Sequence, residues 1–340
     1  MAKKVTMAEL ARLAKVDVST VSRALNDSPL VKPHTKAAIL QIADEVGYTI
    51  NVAARNLRLQ SSGAIGIVIP LAPGSEQTIS DPFFLEMVGS VSHAASLHGY
   101  DLIVSVPRDE MTIAERRLLR SGRADGLIVI GQAGRAERLN AMSARNSNVI
   151  VWGGADGDQD YTLVGSDNVK GGRLATSHLI SLGRKRILFL GDIALPEVAL
   201  RYKGYISAYE KAGLSVDPNL ILKLNFGGQS AFDAVVNYID NGHSFDGVFA
   251  ASDVLAMAAI HALQSKGKNI PQDVSVVGYD NIGQAQMSTP ALTTINQNIA
   301  QGGEVMVTLL LAKIAGKPTA SAFTDTSLIV RASCGAASNN

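Results

Sequence analysis

The sequence predicts a small all-α head followed by an α/β body made of two lobes with parallel sheets. Three observations carry this reading. Residues 1–60 read as short amphipathic helices. From residue 64 to residue 334, apolar runs of strand length recur roughly every 25–35 residues, with helix-like stretches between them. These runs are continuous in Val, Ile and Leu rather than alternating, the pattern of strands buried on both faces of a parallel sheet.

Composition sets the outer bounds. At 340 residues the chain fits two or three domains. With 46% apolar and 18% charged residues it can bury a sizeable core and is not a disordered chain. The 31 glycines against 5% aromatics favour many strand-to-helix turns over an aromatic-rich β-sandwich. Cys334 is the one cysteine, which excludes a disulfide framework and any multi-cysteine metal site. The opening Met-Ala-Lys-Lys-Val-Thr has no apolar segment behind its lysines, and no run approaches the ~20 residues that span a bilayer. The expectation is a reduced, cytoplasmic protein with no membrane partner, cofactor or metal. Charge is uneven: residues 1–60 hold nine Lys/Arg against five Asp/Glu (+4), and the other 280 hold 22 against 25 (−3). A basic head on a mildly acidic body suits a polyanion partner for the head.

The elements follow in order. Thr6 stands three residues before Glu9, a capping box that starts a first helix with Ala8, Leu10, Ala11, Leu13 and Ala14 on its apolar face. Lys15-Val16-Asp17 interrupts it, and Asp17 is a good N-cap for a second helix from Val18 to Leu25. Val21, Ala24 and Leu25 face back, which leaves Val18, Ser19, Ser22, Arg23 and Asn26 outward. A third helix, about Thr35–Val46, closes the core with Ile39, Leu40, Ala43 and Val46. Two short helices joined by about four residues make a helix-turn-helix. The outward face suits a major groove: Arg23 can bond guanine bidentately, the hydroxyls can bond phosphates or bases, and Val18 can touch a thymine methyl. The same pattern also fits a helical hairpin with a serine-rich solvent face. Residues 51–58 favour helix, yet eight residues are marginal alone.

Nine strands are expected in the body: Ala64–Pro70, Tyr100–Val106, Gly126–Gly131, Val149–Gly153, Leu163–Ser166, Arg186–Gly191, Leu220–Phe226, Gly247–Ala251 and Val274–Tyr279. That is more than one typical sheet, hence two lobes. Ligands of such sheets bind beyond the carboxyl ends of the strands. Here those ends carry Trp152, Asp167, Asp192, Asn225-Phe226, Ser252-Asp253 and Asp280. These side chains suit a polar, hydroxyl-rich ligand, and each could equally cap a helix or start a turn. Trp152 has two open roles, lining a cleft or filling a lobe edge.

Thr20-Val21-Ser22-Arg23-Ala24-Leu25-Asn26 resembles the recognition-helix signature of the LacI/GalR family of bacterial repressors. Ordered matches continue through Gly47-Tyr48, Ala53–Leu57, Asp81–Phe84, Ala124–Ile128, Gly183–Ile187, Arg201–Gly204, Pro271–Asp280 and Pro290–Ile295, covering residues 5–334. The resemblance implies a sequence-specific transcriptional repressor. Its helix-turn-helix domain would occupy residues 1–50 and its hinge helix 51–60. Residues 61–335 would form a core like a periplasmic sugar-binding protein. The first lobe would hold 61–165 and 295–324, and the second 166–294 and 325–335. The chain would cross between lobes near residues 165, 294 and 324. The partners implied are a pseudo-palindromic double-stranded DNA operator, read by a homodimer, and a small effector, most simply a carbohydrate.

Carried over residue by residue, DNA contact falls to Val18, Ser19, Thr20, Ser22, Arg23, Asn26 and Thr35 in the head, and to Asn51, Ala54 and Leu57 in the hinge. There a leucine at the Leu57 position would wedge into the minor groove. Effector contact falls to Asp81, Phe84, Arg201, Phe226, Ser252, Asp253 and Asp280. Departures limit the transfer. Lys15 stands where many members have Gly or Asn, Asp17 where Ser is usual, and Ile50 where Pro is common. Gly153 replaces the Asp of lactose-responsive members. Leu195 and Glu197 replace the Arg and Thr of purine-responsive ones, which argues against a purine. The last residues, 332–340, hold no leucine heptad of the tetramer-forming kind, which favours a dimer.

Two rivals are set aside. An enzyme finds no support in motifs: there is no G-x-S-x-G, no Walker loop and no H-E-x-x-H, and the six histidines include no i, i+4 pair. A sugar-binding protein without a DNA role fits the core but not the basic helical head or the absence of a secretory signal.

Overall fold

The structure, a computed structural model, describes residues 5–25, 27–48, 61–71, 76–107, 114–133, 136–155, 157 and 159–336. The chain divides into two compact units, Met1–Ser62 and Gly63–Asn340. Asn26 and the hinge residues Asn51, Ala54 and Leu57 lie outside the described residues.

In the first unit three helices form: α1 (Met7–Leu13), α2 (Val18–Leu25) and α3 (Pro33–Glu45). Thr6 Oγ1 accepts the Glu9 N–H at 3.2 Å, half of the expected capping box. Lys15 takes the left-handed turn between α1 and α2 at φ 53°, a conformation that costs a non-glycine residue roughly 1 kcal/mol. The Asp17 carbonyl accepts the N–H groups of Thr20 and Val21 and so opens α2. Leu10, Ala11, Val21, Ala24, Ile39 and Ala43 make the core. Leu13 and Leu40 were expected in it and are instead 41% and 44% exposed. The reason for Leu40 is helical geometry: Ile39 and Ala43 share the i, i+4 stripe, and Leu40 points about 100° away from it. Gly47, at φ 64°, ends α3, where Tyr48 N–H reaches back to the Ala43 carbonyl at 2.7 Å.

The second unit holds two six-stranded sheets. The first runs β11 (Ala322–Thr324), β5 (Thr162–Ser166), β4 (Val149–Trp152), β3 (Gly126–Ile130), β1 (Ala64–Val68) and β2 (Asp101–Ser105). The second runs β12 (Ser327–Ile329), β10 (Thr293–Asn296), β9 (Ser275–Asp280), β8 (Gly247–Ala250), β6 (Ile187–Leu190) and β7 (Ile221–Leu222). Every pairing is parallel except β10 with β12. All nine expected strands form, although the seventh shrinks to two residues. Three more, β10, β11 and β12, went unexpected.

The period of two divides the first sheet between two cores. Ile65, Ile67, Ile128, Ile150 and Val164 face helices α4 (Pro82–Ser96) and α9 (Ile299–Ile314). Leu127, Val129, Val149, Val151 and Leu163 pack on the other side with Leu118 and with Leu139 of α5 (Ala136–Arg145). The second sheet is covered by α6 (Asn168–Ser181), α7 (Pro196–Lys211), α8 (Gly228–Asp240) and a helix over Asp253–Ser265 around a single core of its own. Helices α6 and α7 touch backbone to backbone: a Cβ at Gly172 would overlap the Arg201 carbonyl, and one at Gly204 the Val169 carbonyl.

The chain passes from the first sheet to the second after Ser166, back after Asn296, and across again between Thr324 and Ser327. The middle crossing thus lies beyond the expected residue 294, because β10 continues through Asn296 beside β9. Among the described residues, no helix is long and apolar enough to cross a membrane.

Candidate functional site

A cavity of about 90 Å3 opens at the carboxyl ends of the strands, between the two sheets of the second unit. On the measure by which one water needs about 10–15 Å3, it holds several waters or a small polar ring. It is polar where strands end and aromatic at its edges.

Six of the seven residues expected to meet an effector line it: Asp81, Phe84, Arg201, Phe226, Ser252 and Asp280. Asp81 caps α4, its Oδ1 accepting the Phe83 N–H at 3.0 Å, while Oδ2 accepts from Gln77 Nε2 at 2.9 Å. Burial pushes its carboxyl up against those two hydrogen bonds. Arg201 rises from α7 and is 5% exposed. Its Nε donates to Asn168 Oδ1 at 2.9 Å, Nη1 donates to the Ala251 carbonyl, and its Cζ lies 3.8 Å from the Tyr279 ring centroid. The guanidinium is therefore held by protein groups before any ligand arrives. Asp280 ends β9 at φ 120°, a strained backbone for an aspartate. Burial raises its carboxyl well above the usual range, and the nearby Arg201 charge only partly opposes this.

Asp253 does not line the cavity, which corrects the expectation for it. It is fully buried, with its carboxylate turned behind β9 to accept the Ile282 N–H at 2.9 Å and the Thr294 hydroxyl. Burial pushes its pKa from 3.8 to about 7.

Gln132, Gln297, Glu197 and Trp152 also line the cavity and were not among the expected site residues. Gln132 follows β3 and is fully buried. Its Nε2 donates to the Tyr161 hydroxyl at 2.7 Å, and its Oε1 accepts the Gly154 N–H at 2.8 Å. A Cβ at residue 153 would come 2.6 Å from its amide carbon, so Gly153 is the space that Gln132 occupies. Trp152 fills both of the roles left open, lining the cavity and packing on α9 where Gly302 leaves room for its ring.

Gln297 ties the crossings together. Its Nε2 donates to Asp280 Oδ1 at 2.6 Å, its Oε1 accepts the Ser166 hydroxyl at 2.7 Å, and its carbonyl accepts the Thr324 hydroxyl at 2.7 Å. Two carboxylates also reach between lobes. Glu197 Oε1 accepts the Gln132 N–H at 3.2 Å, and Glu86 Oε1 accepts the Gly283 N–H at 2.6 Å. Among the described residues, no group of His, Cys, Asp and Glu could hold a metal ion.

In the first unit, Val18, Ser19 and Arg23 are exposed on α2, opposite the buried Val21 and Ala24. Thr20, Ser22 and Thr35 are half-buried, and the Thr35 hydroxyl lies 3.1 Å from His34 Nε2. Asn26, Asn51, Ala54 and Leu57 lie outside the described residues.

Residues 6–51 match the description "Bacterial regulatory proteins, lacI family", and residues 176–334 match "Periplasmic binding protein-like domain". The chain is 31% identical over 309 residues to the HTH-type transcriptional regulator RegA of Clostridium saccharobutylicum, covering 89% of this chain and 90% of that protein. It is 33% identical over 319 residues to the HTH-type transcriptional repressor PurR of Serratia proteamaculans, covering 92% and 91%. Among solved structures, a transcriptional regulator CelR–cellobiose complex superposes with a TM-score of 0.70 at 29% identity, covering 96% of this chain and 99% of that one.

Proposed function

This chain belongs to the LacI family of bacterial regulatory proteins, and on that premise we propose that its cavity takes a neutral sugar whose binding changes its grip on operator DNA. It is a helix-turn-helix transcriptional regulator and not an enzyme. As a homodimer it presents two heads to the two halves of a pseudo-palindromic site.

The observation that carries the effector reading is the chemistry of the cavity. One arginine, Arg201, stands among Asp81, Asp280 and Glu197, with Gln132 and Gln297 between them and the rings of Phe84, Phe226 and Trp152 at the edges. Acids and amides pair with hydroxyls, and aromatic faces stack on the apolar face of a pyranose or furanose. Three carboxyl groups against one guanidinium disfavour a phosphorylated ligand. Leu195, an apolar side chain in the same wall, supplies no bond to a purine edge. The CelR relative with cellobiose bound supports a sugar, and the PurR relative makes a purine the control to run.

Regulation follows from the hinge. A ligand shifts the protein only by its differential affinity for two states. In the cavity it touches both lobes at once, so it favours one lobe angle. That angle governs whether the hinge segments 51–60 of the two protomers can pack together on DNA. In the head, Arg23 with Val18 and Ser19 reads bases, while Thr20, Ser22, Asn26 and Thr35 position the helix. Asn51, Ala54 and Leu57 act at the operator centre, Leu57 by entering the minor groove.

The test is a titration of operator-bound protein with mono- and disaccharides, with purine bases as controls, read by Trp152 fluorescence and by release or tightening of DNA. A saturable response to one sugar, lost in Arg201→Ala while operator binding persists, is expected. A response to a purine and to no sugar would overturn the effector class and leave the DNA reading standing.

A further inference from the structure

We propose that Tyr279 is a positioning residue for the allosteric response: its hydroxyl has no hydrogen bond in the lobe arrangement described above, gains the Ser166 hydroxyl as acceptor at a second lobe angle, and so weights the balance between the two. The inference rests on the lobe-angle reading given under the proposed function.

The other buried tyrosines of this body are bonded. The Tyr205 hydroxyl donates to the Ile187 carbonyl at 2.8 Å, Tyr209 to the Lys185 carbonyl at 3.1 Å and Tyr238 to the Asn219 carbonyl at 2.8 Å, while Tyr161 accepts from Gln132 Nε2 at 2.7 Å. Tyr279 is fully buried. Among the described residues, its hydroxyl is the one buried side-chain polar atom without a hydrogen bond. Leaving such a group unmade costs more than a made bond contributes, so a fold that keeps one stores that cost.

The surroundings of the hydroxyl say which group can complete it. On one side helix α6 closes in, where a Cβ at Gly171 would overlap the hydroxyl oxygen. Arg201 Cζ lies over the ring, 3.8 Å from its centroid. Ser166 and Arg201 are near enough to favour the ionised form of the hydroxyl, yet neither is placed to bond it. A guanidinium carries donors only, so of these two Ser166 alone can accept the phenol proton. The Ser166 hydroxyl gives its own proton to Gln297 Oε1 at 2.7 Å, which leaves its lone pairs available.

Ser166 and Tyr279 belong to different lobes. Ser166 ends β5 of the first sheet at the first crossing, and Tyr279 lies in β9 of the second sheet. Their separation therefore changes with the lobe angle. The acceptors of Tyr205, Tyr209 and Tyr238 all lie within the second lobe and move with their donors. Tyr279 also stands behind the cavity wall: Asp280 follows it, Arg201 covers its ring, and both line the cavity. A ligand that pulls on either residue pulls on this ring, which couples the wall to the first crossing.

The experiment compares wild type, Y279F, S166A and the double variant as full-length dimers. Phenylalanine keeps the ring under Arg201 and removes only the hydroxyl. In thermal melting followed by Trp152 fluorescence, Y205F deletes a made bond and should melt about 2–4 °C lower. Y279F should melt no lower than wild type. The lobe angle is read from the distance between spin labels at E137C on α5 and K211C on α7, in mixed dimers with one labelled protomer. Both positions are exposed, and the native Cys334 is buried and stays unlabelled. Y279F should shift the ratio of the two lobe separations about fivefold toward the arrangement described above, the worth of one hydrogen bond. In the S166A background the same change should add nothing, and operator affinity should move with the ratio. A Y279F melting point about 2 °C or more below wild type would mean that the hydroxyl is already bonded and would overturn the proposal. So would an unchanged distance distribution, or a Y279F shift that persists in full in S166A. A wild type that binds no operator while the distances shift as expected would overturn the operator reading and support this inference.

Discussion

Replacing Gln297 with methionine keeps the length of the side chain and removes its amide. Gln297 is 1% exposed and Ser166 2%, so neither group reaches bulk water once the bond between them is gone. Two hydrogen bonds are deleted, to Asp280 at 2.6 Å and from Ser166 at 2.7 Å. Each orphaned buried group costs about 1–3 kcal/mol. Asp280 recovers part of this, because burial already favours its neutral form and a neutral carboxyl is cheaper to leave unpaired. The expected loss is about 2–4 kcal/mol in the body. At about 2–3 °C per kcal/mol for a unit of this size, the body should melt about 5–10 °C lower. Trp152 is the sole tryptophan and sits in the body, so its fluorescence follows this transition separately from the head. Effector affinity should fall about tenfold or more, since Gln297 also lines the cavity, and affinity for operator without effector should hold. A melting point within 1 °C of wild type, together with unchanged effector affinity, would refute the idea that this side chain ties the crossings to the site.

Asp253 makes a pH-dependent contribution. Its pKa is raised from 3.8 unfolded to about 7 folded, so the folded state binds its proton more tightly. The stability it brings is full below pH 4 and is lost as pH rises through about 7. Urea denaturation between pH 5 and pH 8 should show this decline, and Asp253→Asn should flatten it; an unchanged slope would count against a protonated Asp253. Gly172→Ala drives a methyl into the Arg201 carbonyl, a backbone group that no rotamer change can move. It should cost about 1–3 kcal/mol by thermal melting and weaken effector binding by displacing Arg201. Its neighbour Gly171→Ala meets the Tyr279 ring instead and serves as a comparison. Arg23→Ala should lose about 1–3 kcal/mol of discrimination between operator and scrambled DNA while binding to scrambled DNA changes little. Competition gel shifts measure both, and equal losses on the two DNAs would move Arg23 from base reading to phosphate contact.

The long strands were legible because each is a run of Val, Ile and Leu buried on both faces, as in Ala64–Val68 and Gly126–Ile130. The three that were missed are three or four residues long, and two of them lie at sheet edges. Ala322-Phe323-Thr324 shows why: Phe323 is 55% exposed, so its period carries no burial signal. The strand-end rule found the cavity and most of its wall, since it depends only on parallel order. It could not separate Ser252, which faces the cavity, from Asp253, which turns behind the sheet to the Ile282 N–H. That choice is made by a loop 29 residues away in sequence. Gln132 was hidden for a similar reason. Its burial depends on Gly153 and Gly154, which arrive from the next strand and leave it both space and a donor.

The three crossings also govern the order in which the protein can become whole during synthesis. The head is self-contained by residue 62, so it can fold while the ribosome is still making the body. Neither lobe shares that freedom. The first sheet waits for the helix over Ile299–Ile314, which covers one of its faces, and for its edge strand Ala322–Thr324. The second waits for Ser327–Ile329 and for Ser333, whose hydroxyl bonds the Val276 carbonyl. Neither lobe is complete until the chain has been made through Thr324, and the second not until Ser333. A chain halted earlier would carry a finished DNA reader on a body unable to respond to any effector.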